Sequence, residues 1–242
     1  MLDQHVRTTV SLLGGFRLAV GAETAMVAPG CQRLLAFLAL RGTCVRRRLA
    51  AGTLWPESSE DRAHASLRSA IARLQRAGRG LVDADPVDIC LAERVVVDLR
   101  TARHAADSLL APTPRPLDPE SVRTNVALLS RELLPGWYED WALLEAENWR
   151  QLRLHALEAL AARLVATRQF GAAAGAALAA VAADPLRESA HVALVEVHLA
   201  EGNRSEALRA VERYRRVLHA ELGLEPTPHL VGLVAGLHRV AS

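Results

Sequence analysis

Between positions 62 and 76 a run of arginines and small residues repeats at helical spacing. At about 100° per residue, Arg62, Ser66, Ser69, Arg73 and Arg76 share one side, with Ala65 and Ala72 beside them and Arg68 at the edge. Small side chains let a helix approach a grooved surface closely. Guanidinium groups are planar forks that match phosphate oxygens or the paired acceptors of guanine. The opposite arc, Ala63, Leu67, Ala70, Ile71 and Leu74, is an ordinary core stripe. A solvated charged face would carry the same residues, so the surroundings have to decide between the two.

The surroundings are strongly cationic. Residues 31–79 hold ten arginines against three acids, net +7, although the whole chain is only +2. Residues 1–100 are net +4 and residues 101–242 net −2. That concentration is the electrostatic footprint that nucleic-acid binding leaves. Every one of the 29 basic residues is arginine, which excludes Schiff-base lysine chemistry and a phosphate-loop lysine.

The elements that would hold this helix follow from periodicity and punctuation. Thr8–Val20 reads as a strand pair or bent strand around Gly14-Gly15, with Ala25–Val27 as a short companion. Cys31–Arg41 is a helix stopped by Gly42, and Val45–Trp55 a second helix ended by Pro56. The arginine-rich helix starts near Ser59 or Glu60, after a Ser58/Asp61 pair resembling a capping box, and stops at Gly78 and Gly80. Leu81–Val82 and Val87–Leu91 form a hairpin around Asp83–Pro86, with Val95–Val97 following. Three helices and a hairpin make a winged helix-turn-helix, and the small sheet ahead of them points to the OmpR/PhoB-type arrangement. We place this domain at residues 1–98.

Residues 99–242 read as all helix. Pro112, Pro114, Pro116 and Pro119 mark one loop, and Pro135-Gly136 another. Helices are expected at 140–167, 171–183, 186–201, 205–222 and 227–239. Residues 167–181 align with 201–215 at an offset of 34, matching Ala173 with Ala207 and Ala177 with Val211; this is the tetratricopeptide period. The expected fold is therefore mainly α: a winged helix-turn-helix with a small sheet and hairpin, then a tetratricopeptide-like repeat domain.

Other constellations are read as structural. Trp137, Trp141 and Trp149 are assigned to core packing, and His191 and His198, two helical turns apart, are too distant to share one metal. Cys31, Cys44 and Cys90 form no CxxC pair, and no disulfide framework is expected. No triad spacing, metal cluster or glycine-rich phosphate loop stands out, so we expect neither an enzyme nor a cofactor. The first residues lack a signal pattern and no uninterrupted apolar run approaches 18 residues, so a cytoplasmic protein without membrane association is expected.

Several stretches resemble the Streptomyces antibiotic regulatory protein family. They are PGCQRLLAFLAL (29–40), SLRSAIARLQRA (66–77), LLPGWYEDWALLEAENWR (133–150), ADPLRESAHVALVEVHLAEGNRSEAL (183–208) and AELGLEPTPHL (220–230). The second half looks like that family's bacterial transcriptional activation domain. The resemblance implies an activator of secondary-metabolite clusters. It would bind promoter repeats, often as a homodimer, and engage RNA polymerase holoenzyme. Laid beside the family pattern, Ser66, Ser69 and Arg73 match positions that face DNA, with Arg73 our first choice for a base edge. Arg62, Arg68 and Arg76 fit phosphate contacts, Arg46 and Arg47 a backbone clamp at the second helix, and Arg33 the same from the first. Relatives carry a basic wing, whereas residues 80–100 are net −3 here, leaving Arg94 as the one wing candidate. Larger relatives add an ATPase module; no GxxxxGK[ST] loop occurs here, so no nucleotide is expected. The competing reading is a protein-interaction scaffold that uses the repeat groove, with a winged helix that does not read DNA.

Overall fold

The structure, a computed structural model, describes residues 7–76, 80–112 and 117–239. Gly78, expected as a helix stop, and Pro114 and Pro116 of the proline loop lie outside the described residues. The chain divides into two compact units, Met1–Thr101 with Glu132–Asn148, and Ala102–Arg131 with Trp149–Ser242.

In the first unit, β1 (Thr8–Ser11), β2 (Arg17–Val20) and β3 (Glu23–Thr24) form an antiparallel meander, and β7 (Val95–Val97) adds in parallel to β1, giving the order β3-β2-β1-β7. The companion strand lies earlier than Ala25–Val27. Gly21, at φ 62°, makes a tight turn that sets Val20 opposite Glu23, and pairing ends at Ala19↔Thr24. Helix α1 (Pro29–Arg41) opens with proline in its first turn and closes at Gly42 in the left-handed region. Helix α2 spans Arg47–Leu54, shorter at its front than the pattern predicted, because Val45 and Arg46 become strand β4. Cross-strand pairing to the wing overrides local helix propensity there. Helix α3 (Glu60–Arg76) buries Ala63, Leu67, Ala70, Ile71 and Leu74, and the Ala63 amide makes its first bond to the Ser59 carbonyl. The wing is β5 (Val82–Ala84) and β6 (Asp88–Leu91), in the order β4-β6-β5.

Cys44 and Cys90 form a disulfide across β4 and β6, contrary to the expectation from their spacing. Only the folded register brings together two residues 46 positions apart. Closing a loop of that size contributes about 4 kcal/mol in the chain-entropy account. Cys31 is free and buried, its thiol directed to the Ala70 carbonyl at 3.7 Å. Burial pushes its pKa up, partly offset by the charge of Arg73.

Helix α4 (Asp98–Leu110) begins with a carboxylate that accepts backbone bonds from Leu12 (2.8 Å), Leu13 (3.2 Å) and Leu99 (2.8 Å). The amides just past β1 are thereby satisfied, as buried backbone requires. The returning segment Glu132–Asn148 bonds there too. Leu134 donates to the Leu12 carbonyl at 2.9 Å, Gly14 donates to the Glu132 carbonyl at 2.7 Å, and Trp141 meets Phe37 edge-on at 5.4 Å between centroids. Trp137 in turn packs on Phe16 and Trp141.

The second unit is helical: α5 (Pro119–Leu129), α6 (Asp140–Ala166, from Trp149 onward), α7 (Phe170–Ala183), α8 (Glu188–Glu201), α9 (Arg204–Leu222) and α10 (Pro228–Ala235), closed by a 3-10 turn at Gly236–Arg239. Phe170 and Arg204 open equivalent helices 34 residues apart. Ala173 and Ala177 are buried as their repeat partners Ala207 and Val211 are. Alanine at these sites lets α7 and α9 pack closely on α8. Glu188 of α8 accepts both the amide and the hydroxyl of Thr227, fixing the start of α10. Trp149 is fully buried and donates its indole N–H to the Arg131 carbonyl at 2.9 Å.

His191 is buried against the Tyr214 ring (4.2 Å between centroids), with Nε2 3.0 Å from the Pro185 carbonyl. Burial depresses its pKa below the usual 6.5, outweighing the Pro185 bond. The unfolded chain therefore takes up a proton first. Stability contributed by neutral His191 is complete above pH 6.5 and declines as pH falls through that value, by at most about 1.4 kcal/mol per pH unit. Urea denaturation at pH 7.5 and 5.5 should show this loss, and His191→Gln should shrink it.

Candidate nucleic-acid interface

Helix α3 turns its cationic side outward. Arg62, Arg68, Ser69, Arg73 and Arg76 are exposed and Ser66 is half-buried, opposite the apolar face that packs on α1 and α2. Among the described residues Arg62, Arg68, Arg73 and Arg76 make no hydrogen bond or ion pair. Their span along the helix is about 21 Å at 1.5 Å per residue, enough to cross a major groove of about 12 Å.

The remaining candidates are engaged within the unit. Arg33 is half-buried and pairs with Glu139 at 3.0 Å. Arg46 meets Asp88 at 3.5 Å, and Arg47 donates to the Asp85 carbonyl at 2.8 Å. Arg94 folds back, donating through Nε (3.1 Å) and a terminal nitrogen (2.8 Å) to the Gly80 carbonyl at the base of the wing. Gly80 sits at φ 46°, a backbone conformation that favours glycine, and a Cβ there would also displace that guanidinium.

The acidic residues of the wing also have structural duties. Asp85 accepts from the Val87 and Asp88 amides, both at 2.7 Å, closing the wing turn. Those amides, helped by Arg47 and Arg46, hold its carboxyl below the usual carboxylate range. Asp88 sits in its ion pair with Arg46, while Asp83 and Glu93 are exposed.

Between α2, α3 and the wing tip lies an open groove of about 740 Å³ lined by Arg46, Arg47, Arg48, His64, Arg68 and Val87. Arg48 and His64 were not singled out from the sequence. Both sit beside Glu60, at 3.1 and 3.9 Å, and only the packing of α2 on α3 brings them to one wall. Among the described residues no group of three or more His, Cys, Asp or Glu is arranged to hold a metal ion, and no helix is long and apolar enough to cross a membrane.

Comparisons with known proteins agree with this architecture. Residues 119–237 match the bacterial transcriptional activator domain. The chain is 29% identical over 246 residues to "Regulatory protein AfsR" of Streptomyces griseus, aligned over 92% of this chain and 24% of the relative. It superimposes with a TM-score of 0.69 and 20% identity on Mycobacterium tuberculosis EmbR, solved in complex with a low-affinity phosphopeptide, covering 97% of this chain and 65% of that one. The chain thus spans about a quarter of the AfsR relative and under two thirds of the EmbR chain. These matches bear out the resemblance to the Streptomyces antibiotic regulatory proteins. The fold is a winged helix-turn-helix followed by a tetratricopeptide-like helical unit, and residues 119–237 of that unit match the activator domain.

Proposed function

We propose that the protein is a sequence-specific DNA-binding transcriptional activator, working in the cytoplasm and neither enzymatic nor membrane-bound. Helix α3 enters the major groove with Arg73 on a base edge and Ser66 and Ser69 close to the bases. Arg62, Arg68 and Arg76 hold phosphates, and Arg46 and Arg47 clamp the backbone beside the amides that open α2. Arg33 and Arg94 contribute through the sides of their guanidinium groups turned away from Glu139 and Gly80. The helical unit engages RNA polymerase holoenzyme, two copies occupy repeated half-sites, and the targets are genes of a secondary-metabolite cluster. The observation that carries this reading is the row of exposed guanidinium groups on α3 that make no hydrogen bond or ion pair among the described residues, whereas Arg33, Arg46, Arg47 and Arg94 do.

The acidic wing favours a second reading, a scaffold that binds partners through its repeats. Footprinting on the promoters flanking its own gene separates the two, since a scaffold protects nothing. Affinity for the protected duplex should also fall steeply with salt. Each phosphate contact adds roughly 0.9 to the slope of log affinity on log salt, so Arg62→Ala, Arg68→Ala and Arg76→Ala combined should reduce that slope by about 2.7. An unchanged slope would remove these three from the phosphate contacts.

A further inference from the structure

We infer that Cys44 and Cys90 form a reversible thiol–disulfide site through which small thiols and peroxides set how firmly the wing is held, and with it the affinity for DNA. The inference rests on the DNA-binding reading above. Strand β4 pairs with β6 through just two register positions, Val45↔Ile89 and Arg46↔Asp88. Continuing that antiparallel register by one step sets Cys44 opposite Cys90, so the disulfide is the covalent third rung of a two-rung ladder. The neighbouring links between these stretches are non-covalent: the Arg47 amide to the Val87 carbonyl at 2.9 Å, Arg47 to the Asp85 carbonyl and Arg46 to Asp88. Two of the proposed backbone-clamping arginines therefore take their position from a strip whose other end is the sulfur bridge.

The bridge is within reach of solutes. Cys44 is exposed, Cys90 is half-exposed, and both line an open cleft of about 580 Å³ with Gly42, Thr43, Asp83 and Arg94. Cys31, buried under α3, has no such access. A dithiol's thiolate attacks one sulfur and expels the other as a thiolate. The reagent's second thiolate then resolves the mixed disulfide, leaving two protein thiols and an oxidised reagent. In the other direction hydrogen peroxide takes both thiols to the disulfide and is itself reduced to two waters. With the rung closed, Arg46 and Arg47 stay aligned across the groove from Arg68. With it open, the two-residue ladder frays next to Gly42, and that alignment must be restored on binding.

The test uses the full chain. Maleimide–polyethylene glycol labelling after dithiothreitol, and again after hydrogen peroxide, should show two reactive thiols that appear and disappear, with Cys31 reacting only on denaturation. Fluorescence anisotropy with a labelled duplex of the footprinted promoter segment should give about tenfold tighter binding in the oxidised form. Cys44→Ser and Cys90→Ser should hold the weaker affinity under both conditions, and wild-type protein in its two states answers the question even if a variant folds poorly. Equal affinity in the two states, or thiols that do not pair again, overturns the switch while leaving DNA binding intact. Thiols that cycle in a protein binding no duplex in either state overturn the DNA-binding reading, and the switch with it.

Discussion

Arg73→Ala is expected to weaken the specific duplex by about 1–3 kcal/mol, roughly five- to 150-fold, while random DNA loses far less. The side chain stands exposed on α3, flanks the buried stripe of Leu67, Ala70 and Leu74, and makes no ion pair among the described residues. Its removal leaves the core intact, so a loss of affinity reports on DNA contact rather than on folding. Arg73→Lys sharpens the test. It keeps the charge and gives up the planar fork, so it should retain affinity for random DNA and lose discrimination at one base pair. Anisotropy titrations on specific and scrambled duplexes measure both. Equal losses on the two would take Arg73 out of base recognition and leave it a phosphate contact.

Trp149→Ala should destabilise the protein by about 3–5 kcal/mol, a large part of the total for a domain of this kind. The indole is 1% exposed, so truncation opens a cavity, and it also leaves the Arg131 carbonyl without its donor. Trp149→Phe keeps most of the volume and loses the bond, and its cost should fall well below that of alanine. Urea denaturation of the three proteins gives the ranking. If phenylalanine cost as much as alanine, the N–H bond rather than the packing would dominate.

What could be read from the sequence was local. The α3 face follows from 3.6-residue periodicity, and the 34-residue offset anticipates α7 and α9 because each repeat carries its own buried alanines. What escaped depends on distant partners. Arg33 meets Glu139 and Arg94 folds onto Gly80, and neither pairing leaves a mark in nearby residues. The Cys44–Cys90 bridge follows from strand register, which spacing does not encode. Val45 and Arg46 show the same effect, since a strand partner more than 40 residues away draws them out of the helix that their own pattern favoured.

The return of Glu132–Asn148 to the first unit bears on how such a protein is inherited. Leu12, Leu13 and Phe37 are completed by Leu133, Leu134 and Trp141, which are encoded some hundred codons downstream. A recombination event that carried off the first hundred codons alone would deliver a torso with its seam open. The two stretches have to move between genomes together, so swapping this module among regulators requires the intervening gene segment to travel as cargo.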